Sequence, residues 1–210
     1  NMIARSISFW RRYFPLLREY FPSQLEDVSL SRFITAVNRV EPSFIRIEAD
    51  EVSYSLHVIL RYELEKALVN GEINVADLPG EWNKKMEDLL GIRPRSDSEG
   101  VLQDIHWSMG AFGYFPTYAL GNLYGAQFYE QMRQDLDDLD GLIAQGNFAP
   151  IRTWMSEHIH RHGMAKTPLE LVGALREFLL LQLADAVVYP LQVFAGLFHD
   201  ILLRIRGIRN

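Results

Sequence analysis

Apolar side chains recur along this chain at steps of three and four. Ile3, Ile7, Trp10, Phe14 and Leu17 keep that spacing over residues 2–20 and predict a first helix. Pro15 lies inside it and is expected to kink it or end it early. Phe21-Pro22-Ser23 reads as a turn. Leu30, Phe33, Ile34 and Val37 then give a short helix over 29–39 with Ser29 as its N-cap. The longest element is expected from Glu41-Pro42-Ser43 to about Asn70, closed by Gly71 at the C′ position. Its apolar stripe is Ile45, Ala49, Val52, Leu56, Ile59, Leu60, Leu64, Ala67 and Leu68. Residues 72–75 suggest a short strand, 77–80 a turn, and Glu81 to Leu90 a helix that buries Trp82, Met86, Leu89 and Leu90 and stops at Gly91. Pro116 suits the first turn of a helix carrying Thr117 to Met132. A last clear period, Phe148, Ile151, Trp154, Met155 and Ile159, predicts a helix over 148–162.

The polar positions modify this picture in three places. On the 41–70 helix, Arg46, Asp50, Tyr54, His57 and Arg61 form a second stripe at steps of four, four, three and four; a polar stripe at helical period reads first as a solvated face. Between Gly100 and Gln127, Gln103, Asp104, His106, Trp107, Tyr114, Tyr118 and Asn122 alternate with Gly110, Gly113, Pro116, Gly121 and Gly125. That stretch reads as loop, sharp turn and helix start, in which a His and two Tyr either supply donors to an oxyanion or sit in the core with satisfied polar tips. Asp135, Asp137, Asp138 and Asp140 read as a solvated linker, without the Gly and terminal Glu of a calcium loop. His158 and His162 lie four apart, but at the end of a helix such side chains are favoured by the macrodipole, and no metal site is expected there.

With 210 residues, 48% hydrophobic and 23% charged, the chain has length and composition for one globular domain. Its net charge of −6, with scattered basic residues, argues against nucleic acid or an anionic membrane surface as partner. The absence of cysteine excludes disulfides and thiolate metal sites and points weakly to a cytoplasmic location. Asn1 to Trp10 carries no secretory signal and reads as mid-helix, so upstream sequence is expected to have been cut away. Residues 164–210 are richer in Leu and Val, in runs too short to span a bilayer. They read as a buried helical pair or an interfacial segment.

Three stretches together resemble the carboxypeptidase Taq family of zinc metallocarboxypeptidases. Ile45 to Asp50 matches IRxxAD, Gly100 to Trp107 matches GxxQDxHW, and Gly113 to Asn122 matches GYFPTYxLGN, in that order. The likeness covers about residues 1–163, the C-terminal half of the family's domain, with 164–210 as a divergent apolar tail. It implies an all-α fold: a helical bundle forming one wall of a peptide-binding cleft, with at most a minor strand pair. It also implies a zinc-activated water that releases C-terminal amino acids from peptides. Arg46 would then bind the peptide's terminal carboxylate, Asp50 would hold Arg46, and Gln103, Asp104 and Trp107 would line the substrate site. His106, Tyr118 and Tyr114 would act on the scissile carbonyl, Tyr118 foremost. The family's HExxH and HES/TQ motifs are absent from the 210 residues. Zinc is therefore expected in the full-length enzyme and not in this chain, which is expected to start just past the last metal ligand and to be inactive alone. The alternative is a non-enzymatic helical binding protein, and association as a homodimer stays open.

Overall fold

The structure, a computed structural model, describes residues 2–174. Among these there are helices and turns and no strand, so the fold is all-α. Two compact units form, residues 40–122 and residues 2–39 with 123–174. The apolar stretch from 175 onward, and with it most of the expected tail, lies outside the described residues.

In the 40–122 unit, helix α4 (Ser53–Val69) packs on α5 (Leu78–Leu90). Leu56, Ile59, Leu60 and Leu64 of α4 meet Leu78, Trp82, Met86 and Leu90 of α5, and Val52, Leu68 and Trp107 pack at the edge of this core. Each fully buried aliphatic side chain contributes about 1.5–3 kcal/mol. At the end of α4 the Glu72 amide returns to the Ala67 carbonyl and Gly71 takes φ +70°, a stop that needs glycine, as its C′ position predicts. Gly91 ends α5 in the same left-handed conformation.

Two expectations fail here. Residues 41–52 do not continue α4 toward the N-terminus; they are irregular apart from a 3-10 turn at Arg46–Glu48. The cause is Asp50. Its Oδ1 accepts from the amides of Val52 (2.8 Å) and Ser53 (2.9 Å), and its Oδ2 from the Ser53 hydroxyl (2.8 Å) and the Glu41 amide (2.9 Å). A carboxylate that satisfies a helix's first free amides starts the helix after itself. The expected strand at 72–75 is also absent: Val75–Asp77 is a 3-10 turn leading into α5, and no partner strand lies nearby among the described residues.

The other unit contains α1 (Ile7–Tyr20), α2 (Pro22–Leu25), α3 (Leu30–Val37), the C-terminal part of α6 (Pro116–Asp135), α7 (Leu139–Gln145), α8 (Ala149–His158) and α9 (Pro168–Gly173). The Ser6 hydroxyl accepts from the Phe9 amide, so α1 begins with a cap, where an uncapped mid-helix was expected. It also runs through Pro15 to Tyr20. Ser29 caps α3 as expected. Met132, Leu139, Ile143, Ile151 and Trp154 form the core. The acidic run is solvated as expected, but it joins two helix ends and is no unstructured linker. Asp135 accepts from the Trp154 indole (2.7 Å), and Asp138 caps α7, a helix the sequence reading missed. His158 Nδ1 lies 2.9 Å from the Trp154 carbonyl and its ring stacks on the Trp154 indole.

Candidate functional site

One face of α4 organises the site. Tyr54, His57, Arg61 and Glu65 follow one another at steps of three and four, and the last three are 0%, 0% and 4% exposed. The stripe that looked solvated is therefore interior. Buried polar groups at such density need partners, and two segments supply them: the turn at Arg46 and the loop 103–115.

Asp104 is the hub. Its Oδ1 accepts from Arg46 Nε (3.2 Å) and Nη2 (2.7 Å), and its Oδ2 from Arg61 Nε (2.6 Å). Gln103 spans the same groups: Oε1 accepts from the Arg46 amide (2.9 Å) and Arg61 Nη2 (2.8 Å), while Nε2 donates to the carbonyls of Phe44 and Glu99 (3.0 Å each). Arg61 Nη1 donates to the His57 carbonyl (2.7 Å), and Arg46 Nη1 to the Tyr54 hydroxyl (3.0 Å). Gln103 and Asp104 thus face protein and hold the arginines. Asp50, expected to hold Arg46, caps α4 instead, because Arg46 is not on that helix.

The charges respond to this geometry. Burial opposes ionisation of Asp104, but the hydrogen bond from Arg46 and the charge of Arg61 outweigh it and keep the carboxyl below its usual range. Asp104 favours the charged form of both guanidiniums, yet their net shifts differ in sign. Complete burial takes Arg61 down to about 10, still charged at neutral pH, whereas in Arg46 the contacts with Asp104 and Tyr54 overcome the cost of burial and raise it. His57 is pushed down to about 3, by burial first and then by the Arg61 charge, so it is neutral at physiological pH. Neither His57 ring nitrogen makes a hydrogen bond of ordinary geometry, although a nearby Ser43 backbone group slightly favours the proton. Two guanidiniums against one carboxylate leave the cluster one positive charge in excess.

The expected catalytic groups converge beside this cluster. His106 Nε2 and the Tyr118 hydroxyl are 3.1 Å apart, and the Arg46 guanidinium carbon lies 4.8 Å from the centroid of the Tyr118 ring. Tyr118 stands in the first turns of α6, which Pro116 opens as predicted. Burial raises its phenol above the usual range, so it keeps its proton at neutral pH. Tyr114 is half exposed, its ring 5.5 Å from His106 and 5.4 Å from Tyr118. Phe115, 1% exposed, lies under the group, 4.4 Å from the His106 ring and within cation–π range of both guanidiniums. Trp107, expected to line the substrate site, turns inward and donates from Nε1 to Glu65 Oε1 (2.7 Å).

Tyr54, Arg61, Glu65 and Phe115 were not singled out as site residues. Tyr54 and Arg61 belonged to the polar stripe, and Glu65 extends it by four; the signal was the pairing of that stripe with a second polar segment 40 residues on. Among the described residues no three His, Asp or Glu side chains group as a metal would require, and both oxygens of Asp104 are taken up by arginines.

The carboxypeptidase Taq (M32) metallopeptidase family model matches residues 1–177, beyond the boundary at 163 read from the sequence. Carboxypeptidase 1 of Bacillus subtilis is 49% identical over 172 residues, covering 82% of this chain and 34% of that protein. Thermostable carboxypeptidase 1 of Thermus thermophilus is 51% identical, with the same shares covered. Among solved structures, the M32 carboxypeptidase of Deinococcus radiodurans superposes with a TM-score of 0.80 at 37% identity, over 99% of this chain and 39% of that one. The carboxypeptidase of Pyrococcus furiosus gives 0.79 at 40% identity, over 95% and 38%. The chain spans about a third of the length of the curated relatives it matches.

Proposed function

The chain belongs to the carboxypeptidase Taq (M32) metallopeptidase family, and we propose that it forms the substrate-holding wall of a metallocarboxypeptidase cleft that receives the C-terminus of a peptide. The observation that carries this reading is the edge of Arg46 beside the His106–Tyr118 pair. A guanidinium has five N–H donors, and three of those on Arg46 are committed to Asp104 and Tyr54, so two remain for a ligand. The local excess of positive charge favours an anion, and a peptide's terminal carboxylate meets that edge with two oxygens.

His106 and Tyr118 then stand where the last peptide bond lies. A protonated phenol hydrogen-bonded to an imidazole donates to a carbonyl oxygen as negative charge develops on it, which is the work of an oxyanion site. Tyr114, more exposed, closes over the same region. Zinc and the residue that activates water belong to HExxH and HES/TQ segments that the 210 residues do not contain, so the isolated polypeptide has no peptidase activity and contributes binding and orientation.

Calorimetric titration with a tripeptide and with its C-terminal amide tests the reading. The acid is expected to bind at least about tenfold more tightly, and Arg46→Lys, which keeps the charge but loses the fork, to remove most of that preference. Equal affinity for acid and amide overturns it.

A further inference from the structure

We propose that Glu65 is the positioning residue that sets the His106–Tyr118 contact, by clamping both ends of the loop between them. Its carboxylate is buried, 4% exposed, and spends one oxygen on each side: Oε1 accepts from the Trp107 indole (2.7 Å) and Oε2 from the Gly113 amide (3.1 Å). Trp107 follows His106 directly, and Gly113 precedes Tyr114 directly. The clamp therefore grips the chain one residue past the imidazole and one residue short of the first phenol.

The rest of the loop depends on that grip. Between the clamped points, Met109, Gly110 and Ala111 bond only within the turn, to the carbonyls of Ile105, His106 and Trp107, and Met109 and Phe112 are exposed. Gly113 has φ +76°, a conformation that directs its amide at Glu65 and swings the chain into Phe115 and α6. Glu65 stands one helical turn beyond Arg61 on α4, so the helix that holds the arginine cluster also fixes the spacing between His106 and the helix bearing Tyr118. The significance for turnover rests on the carboxypeptidase reading above; the clamp itself is a property of the chain alone.

Glu65→Gln is the informative change. An amide offers one acceptor oxygen and one NH2, so it meets one of the two N–H donors and repels the other. In the 210-residue chain, proton NMR reads two quantities: hydrogen exchange at the Gly113 amide and the cross-peak between the His106 and Tyr118 rings. With Glu65→Gln, exchange is expected to be about tenfold faster and the cross-peak markedly weaker. Glu63→Gln, on the same helix but paired with Lys85, should change neither. If Glu65→Gln does not fold, Gly113→Ala decides: its Cβ meets nothing within 4 Å, so it strains only the left-handed turn, and the cross-peak should again weaken. A folded variant that exchanges faster but keeps the ring cross-peak at full strength assigns Glu65 a merely structural role and overturns the proposal. A chain in which the clamp responds as expected but peptide acids bind no better than amides keeps the clamp and rejects the carboxypeptidase reading.

Discussion

Arg46 and Arg61 share a single carboxylate, one oxygen each, although one guanidinium comes from an isolated turn and the other from the middle of α4. Asp104 is what permits two buried cations to lie side by side.

Removing that charge is expected to be costly. Asp104→Asn leaves two guanidiniums desolvated without a counter-ion and should lower stability by about 3–5 kcal/mol, measured by urea unfolding. A loss below about 1 kcal/mol, the range of an exposed pair, would show that the network is not interior.

His57 makes stability depend on pH in a defined window. Its folded value of about 3 lies below the unfolded value of about 6.5, so between these limits the unfolded chain holds the extra proton. Stability is therefore complete above about 6.5 and falls as pH drops toward 3, by on the order of a few kcal/mol. His57→Gln should flatten the slope of unfolding free energy between pH 7 and pH 4. Identical slopes in the two proteins rule this out.

Trp82 couples the core to the arginine cluster. It is 1% exposed, Arg61 stands over its ring at 4.6 Å, and Trp107 meets it edge-on. Trp82→Ala should cost about 3–5 kcal/mol, and Trp82→Phe clearly less because a ring face remains for the guanidinium. Equal losses for the two variants in denaturant titrations would remove the cation–π contribution.

Tyr118→Phe separates binding from chemistry. On the proposed carboxypeptidase reading, in the chain joined to a segment bearing HExxH and the third metal ligand, loss of the Tyr118 hydroxyl is expected to lower kcat by about 100-fold or more with little change in KM. A rise in KM at constant kcat would make Tyr118 a binding group instead.

Much of this was legible in the sequence where the signal is local. Ser29, Gly71, Gly91 and Pro116 each mark a helix end through their own backbone or side-chain chemistry, and each does so in the structure. What misled was regular spacing taken alone. Arg46 and Asp50 continue the period of Tyr54 and Arg61, yet Asp50 turns back to cap the helix, and no count of steps distinguishes a capping carboxylate from a helical one. The same limit hid the burial of Arg61: its partners, Gln103 and Asp104, are supplied by a loop more than 40 residues away. The convergence of Arg46, His106 and Tyr118 was expected from motif resemblance, whereas the inward turn of Gln103, Asp104 and Trp107 became visible only with the hydrogen-bond partners.

The two stripes of α4 lie one residue apart in register, and this limits how the segment can vary in length. Inserting a single residue between His57 and Arg61 would rotate everything after it by about 100°. With the insertion ahead of Leu60, Leu60 would then point at Asp104 and Leu64 at the Trp107 indole, while Arg61 and Glu65 moved on to the places of Tyr62 and the exposed Lys66. One added residue in α4 therefore sets leucines against the ionic partners and carries both charges off them in a single step.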